Sequence, residues 1–425
     1  MINTTNLVKN STYKSFIPFY GYAAISFLAA TVLLVLSSNA FGLHYFQPPI
    51  LAVTHTMALG WGTMMILGAS HQLFPVIIEG KLFSNLLAYL SFGITGLGIP
   101  LLVYAFYTFN MNFPAQCGAL LVNLGILCFL TNITASLVTS KKRNVHAVFV
   151  LAATLWLFTA TIIGLLLVLN FTNPIFEKDS LHYLSLHAHL GIGGWFLLLV
   201  MGVGTRLIPM FLISKYSRPA RLWTIFILIN MALAGFILIF LYTKGGYLFI
   251  IPLAAIFAAV ALFAFYCYKS YKVRIRRQTD NQIRISLLSV LMIGVPLILL
   301  AVVTLLFAIS RVDIRLVMAY GFSIFFGWIT AIIFGMTFKT LPFIVWNKVY
   351  HHYAGLGKTP NPKDLFDGKI FNIMGIAYLS GFVLFISGIL FSYSPLLEVS
   401  AFTLLLAAIL YNWNVFRVIF YTPTK

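Results

Sequence analysis

Apolar and polar positions along this chain of 425 residues fall into long blocks with no strand-like alternation. Runs of about 20 apolar residues, each long enough to cross a bilayer core as a helix, recur from end to end. In lipid every backbone polar group must be paired within its own element, so spans are helices or closed barrels, and continuous apolar runs select helices. The pattern predicts twelve spans, near 15–38, 48–78, 84–107, 115–139, 145–170, 183–213, 222–243, 246–268, 285–309, 314–346, 370–392 and 396–420. The second, sixth and tenth are the longest. Helices that exceed the bilayer thickness tilt or protrude.

The same three spans share a frame. Gly60-Trp61, Gly68 and Pro75 become Gly194-Trp195, Gly202 and Pro209, and then Gly327-Trp328, Gly335 and Pro342. The intervals from Trp to Gly to Pro are seven and seven residues in every copy, and the tryptophans stand 134 and then 133 residues apart. Each interval holds four spans. The expected architecture is therefore an all-α membrane protein of twelve transmembrane helices, in three four-helix units with pseudo-threefold symmetry. It is one integral membrane domain over 1–425, with units at roughly 1–140, 141–270 and 271–425.

Composition sharpens this. The chain is 61% hydrophobic and 8% charged, far from the half and quarter of soluble domains. A net charge of +19 raises nucleic acid as a partner, but its distribution points to a lipid bilayer. Lys9 and Lys14, Lys81, Lys141 to Arg143, Lys215 to Arg221, Lys269 to Arg284 and Lys348 to Lys369 all fall on one side, against Lys178, Lys244, Arg311 and Arg315 on the other. Lys and Arg mark the cytoplasmic side, so both termini are expected there. The stretch from Met1 to Ser15 reads as a retained cytoplasmic start. Cys117, Cys128 and Cys267 form neither a disulfide framework nor a Cys-x-x-Cys-His attachment site.

Twelve spans in three units of four, with histidines on the second span of a unit, resemble subunit I of the haem-copper oxidase superfamily. The run from His55 through Gly60-Trp61-Gly62 to Gly68-Ala69 is similar to the second-helix haem region of its divergent bacterial relatives. The resemblance implies a low-spin haem ligand at His55, a b-type haem, a redox partner or second subunit, a bacterial inner membrane, and electron transfer or the handling of nitric oxide or oxygen. Departures matter equally. The family's His-x-His pair on the tenth span is replaced by Met318 to Trp328, which lacks histidine. The sixth span carries His187-Ala188-His189 without the Pro-Glu that follows in the family's copper motif, and the seventh has no histidine. The usual oxygen-reducing centre is thus absent in its known form. If an enzyme at all, the protein is expected to be an oxidoreductase of the cytochrome oxidase or nitric oxide reductase type. The NnrS family of haem- and copper-binding membrane proteins that respond to nitric oxide is a neighbouring resemblance. An accessory cofactor-binding protein is the alternative, and a transporter the third.

The residues themselves point to a metal. Six positions before the tryptophan stand His55, His189 and then Phe322. Each histidine lies roughly 10 Å below the outer end of its helix, and ionisable groups at such depth are costly and usually functional. Two imidazoles on separate rigid helices are what axial ligation of a planar macrocycle requires, and imidazole suits copper equally. His55 and His189 are the expected ligands. His187, roughly 200° around the helix from His189, is the alternative or second ligand. His44 and His182 stand at the outer boundary, where the plain interfacial role is weighed above an outer metal site. His71, about 24 Å along the axis from His55, is expected to meet the inner headgroups, and His146, His351 and His352 to be structural or solvated. The prolines are expected to end or bend the long helices. The eight carboxylates avoid the span middles, which argues against proton pumping and ion-coupled transport.

Overall fold

The structure, a computed structural model, describes residues 13–243, 245–275, 278–350 and 359–423. Twelve helices long and apolar enough to cross a membrane account for most of it: α1 Tyr13–Leu36, α2 Pro48–Ile77, α3 Asn85–Tyr107, α4 Phe113–Val138, α5 Val145–Leu169, α6 Leu184–Leu212, α7 Pro219–Tyr242, α8 Gly246–Lys272, α9 Asn281–Ala308, α10 Ile314–Tyr350, α11 Gly368–Phe391 and α12 Ser394–Ile419. Hydropathy places their centres, and local chemistry sets their starts. Ser84, Asn144, Asp313 and Asp367 each accept a hydrogen bond from the first turn that follows, pairing N–H groups that a helix start leaves free.

The helices are buried unequally. The most apolar stretches of α2, α6 and α10 are 72%, 78% and 78% buried, against 22% for α7 and α8. The three Gly-Trp helices are therefore central, and α7 and α8 present most of their surface outward. None of the three is a plain α-helix. Each widens into a π-helical stretch at the frame, over Thr56–Thr63, Leu190–Leu197 and Ser323–Ile329. The residue just before each stretch is His55, His189 or Phe322. Such wide turns are rare and gather at functional sites.

The central helices are tied together by their tryptophans. The Trp195 indole N–H donates to the Thr63 hydroxyl at 3.0 Å, and that of Trp61 to Thr330 at 3.1 Å. Thr63 and Thr330 each stand two residues past the frame tryptophan of their own helix. The corresponding residue on α6 is Leu197, and the buried Trp328 N–H has no partner among the described residues. Two turns further along each helix, a methyl group added at Gly68, Gly202 or Gly335 would collide with Phe19 of α1, Phe149 of α5 or Ser286 of α9. Small residues of this kind let helices approach closely.

The prolines sit differently along the three helices. Pro75 and Pro209 fall in the last turns of α2 and α6, but Pro342 lies within α10, which runs on to Tyr350. Carboxylates pair near helix ends: Glu79 with Lys142 at 2.5 Å, Asp280 with Lys339 at 2.7 Å and Asp367 with Arg417 at 3.6 Å.

Candidate functional site

A cavity of about 750 Å³ opens among the outer halves of the central helices, walled mostly by apolar side chains. That is the size range of small-molecule and cofactor pockets. His55, His187 and His189 all line it, with His182, Tyr320 and Phe322. The three candidate ligands thus reach one cavity, but they do not converge on one point.

His55 and His187 come together. Their ring centroids are 6.3 Å apart and their planes 16° from parallel. The Nδ1 of His55 is 2.8 Å from the Leu51 carbonyl, one turn back on α2. That of His187 is 2.9 Å from the Ala160 carbonyl of α5. A carbonyl only accepts, so each Nδ1 carries the proton and each Nε2 presents a lone pair. A second-atom hydrogen bond to a carbonyl is the usual way a ligating imidazole is oriented. Gly164 makes room, since a methyl group there would press on the His187 ring at 2.9 Å from Cε1. Phe106 packs on His55 with centroids 4.4 Å apart. Beside them, the Asn123 amide donates to the carbonyls of Ala119 and Thr161, leaving its buried Oδ1 without a partner among the described residues.

His189 points elsewhere. Its Nδ1 is 2.7 Å from the Ser185 carbonyl, so it too offers Nε2. Its ring packs on Phe236 of α7 at 5.0 Å and faces Tyr320 of α10 at 6.0 Å, with planes 20° apart. The expected pairing of His55 with His189 is therefore not the one the fold brings into ring contact; His187 takes that place. Two residues on one α-helix look to opposite sides, and here the His187 side faces α2 and α5 while the His189 side faces α7 and α10. At the third position Phe322 stacks on Phe326 at 4.7 Å and on Phe385 at 4.3 Å, and meets Phe41 edge-on at 6.2 Å. Phenylalanines occupy the space that histidines line at the other two.

Tyr320 escaped the sequence reading, although a signal existed. It stands two residues before Phe322, as His187 stands two before His189. At the outer rim lie Arg311 and Asp313. The Arg315 guanidinium bonds the Asp313 carboxylate and holds its carboxyl below the ordinary value.

The remaining histidines are dispersed. His71 is a correction: it is fully buried, packed by Phe19 at 5.5 Å and Phe129 at 5.1 Å, and does not reach the headgroups. Its counterparts Thr205 and Phe338 are buried as well, because neighbouring helices cover the inner ends of all three long helices. His146 bonds the Gly202 carbonyl at 2.8 Å and is structural, as expected. His44 accepts from the Phe46 amide and stacks on Tyr45, while His182 packs on Tyr183 and Phe240; no shared outer site forms between them. His351 and His352 lie outside the described residues. Among the described residues no three His, Cys, Asp or Glu side chains are grouped to hold a metal ion.

Compared with known proteins, the chain matches no family model and no curated protein.

Proposed function

We propose that this is a haem-binding integral membrane protein that acts in electron transfer, and that His55 and His187 would hold the haem iron. The carrying observation is the His55–His187 pair. The two rings stand 6.3 Å apart with planes 16° from parallel, and they would hold the haem iron between them. Both Nδ1–H groups are held by carbonyls, both rings line an apolar cavity, and they come from separate helices. The residues present therefore fit the group. Haem, when bound, would supply one-electron chemistry, which suits electron transfer. The residues of the chain orient the imidazoles, exclude water through Phe106, and offer the Asn123 Oδ1 to a hydrogen-bond donor.

The resemblance to haem-copper oxidase subunit I is a reading of the same kind, and its support is the arrangement of the central helices. We infer three four-helix units about a pseudo-threefold axis. The π-helical stretches share one register. The tryptophan bonds run from α6 to α2 and from α2 to α10 in one rotational sense. Each position before a π stretch packs on an aromatic ring of the next outer helix, Phe106 of α3, Phe236 of α7 and Phe385 of α11. On the distribution of Lys and Arg both termini lie on the cytoplasmic side, and the resemblance together with these loop charges supports a bacterial inner membrane.

The direct test is the haem and metal content of protein purified in mild detergent. One b-type haem per chain is expected. Iron-free, colourless protein after supply of haem would overturn the reading, and copper in place of iron would reassign the same imidazoles.

A further inference from the structure

The inner ends of α7 and α8 carry a charge with no internal balance among the described residues. From Ser180 to Thr279 the chain has no carboxylate, while Lys or Arg stands at ten positions. Two of these cations meet at one ring. The Arg221 guanidinium lies 4.7 Å and the Lys269 ammonium 5.3 Å from the centre of Phe265. They therefore stand within about 10 Å, one Debye length, of each other. Neither makes an ion pair among the described residues. One Arg221 nitrogen donates to the Tyr216 hydroxyl, and the rest of the fork has no hydrogen-bond acceptor among the described residues. One turn nearer the end of α8, Lys272 stands 5.5 Å from the centre of the Tyr268 ring. Aromatic faces attract cations, but they bring no negative charge to offset the repulsion between them.

Equivalent helix ends elsewhere are neutralised from within the chain. Asp367 caps the start of α11 and lies 3.6 Å from Arg417 in the last turn of α12. Glu79, just past α2, pairs with Lys142, just past α4. Asp280 at the start of α9 bonds Lys339 of α10 at 2.7 Å. At the start of α7, where α11 has Asp367, the cap residue is Arg218. The counter-charge for this corner has to come from outside the protein.

We propose that the phosphodiester headgroup of an anionic phospholipid, of the phosphatidylglycerol type, binds between Arg221 and Lys269, with its acyl chains along α7 and α8. Three observations choose this occupant. The two helices are the least buried of the twelve, at 22%, so the cations stand at the foot of a lipid-facing wall that includes the exposed Ile227 and Met231. Trp223, Phe265 and Tyr268 are exposed at the same level, where aromatic side chains sit at a membrane interface. A planar guanidinium beside a compact ammonium matches a phosphate group in both geometry and charge. A soluble anion would leave the apolar wall unused, and a zwitterionic lipid would bring no net charge to the corner. The proposal is independent of the haem reading.

The test titrates full-length protein in mild detergent with phosphatidylglycerol and with phosphatidylcholine of the same acyl chains, counting bound lipid by native mass spectrometry. One tightly held phosphatidylglycerol per chain is expected, in preference to phosphatidylcholine. Arg221→Gln and Lys269→Gln should each weaken it about fivefold and leave phosphatidylcholine unaffected, while Arg221→Lys keeps most of the affinity. Lys142→Gln removes a cation that Glu79 already neutralises and should change neither lipid. Circular dichroism of each variant shows that it is folded. Equal retention of the two lipids, or unaltered preference in both Gln variants, would overturn the proposal. An equal loss in Lys142→Gln would reduce it to bulk charge and reject it. Displacement of the lipid by millimolar glycerol phosphate would assign the corner to a soluble anion and reject it too.

Discussion

Histidine placement in this protein is decided by which side of α6 a side chain leaves. His187 and His189 share a helix and a depth, yet one meets His55 and the other meets Tyr320. Spacing along the chain identified all three as candidates and aligned His55 with His189. It carried no information on which face of α6 turns to α2, because an all-apolar helix has no polar face to orient it. Outside the bilayer, single residues act in a simpler way. Asp367 caps α11, accepting from the Lys369 and Ile370 amides, and these bonds hold its carboxyl below the ordinary value of 3.8. A depressed carboxyl stabilises the folded state above its unfolded value and loses that effect as pH falls through the folded one. Asp367→Ala should therefore lower the melting temperature near neutral pH, with the difference from wild type closing as pH falls below 3.8. A difference independent of pH would contradict the assignment.

The twelve helices were legible because a bilayer leaves the backbone few options, and apolar length alone fixes their centres within a few residues. The π-helical stretches were not. Their sequences, such as Leu190 to Leu197, are apolar on every side, so no change of period marks the widened turn. The frame residues were visible as a repeat, and the structure supplies their role. Trp61 and Trp195 bond threonines on neighbouring central helices, while the Trp328 N–H has no partner among the described residues, and a repeat of the pattern would set it opposite Leu197. A hydrogen bond contributes about 1 kcal/mol net, and a buried donor left without a partner costs about 1–3 kcal/mol. Leu197 is itself buried, so Leu197→Thr should be less destabilising than the near-isosteric Leu197→Val, the hydroxyl supplying the missing acceptor. Thr63→Val and Thr330→Val should lower thermal stability by about 1 kcal/mol or more. Differential scanning measurements on detergent-solubilised protein check this. Equal destabilisation by Leu197→Thr and Leu197→Val would show that the tryptophans do not form a repeating set.

Across the whole molecule, two of the three positions before a π-helical stretch carry histidine, and the third carries a phenylalanine packed among other phenylalanines. That asymmetry was visible in the sequence as His55, His189 and Phe322. Its consequence was not, since the aromatic plug comes from Phe41, Phe326 and Phe385, which lie far apart along the chain. On the proposed orientation, with the basic loops and both termini cytoplasmic, tags at the N- and C-termini should be labelled by membrane-impermeant reagents only in inverted vesicles; labelling of either tag in intact cells would contradict the orientation.

The central claim is the pairing of His55 with His187 across one haem iron, and the optical spectrum of the purified protein and three variants tests it most directly. Wild type should show a sharp Soret band with split visible bands on reduction, the signature of two axial imidazoles. His55→Ala and His187→Ala should each lose the band or shift it to a high-spin form, and His189→Ala should keep the wild-type spectrum. Loss in His189→Ala with retention in His187→Ala would return the site to the pairing of His55 with His189, and a spectrum indifferent to His55 and His187 would contradict the account.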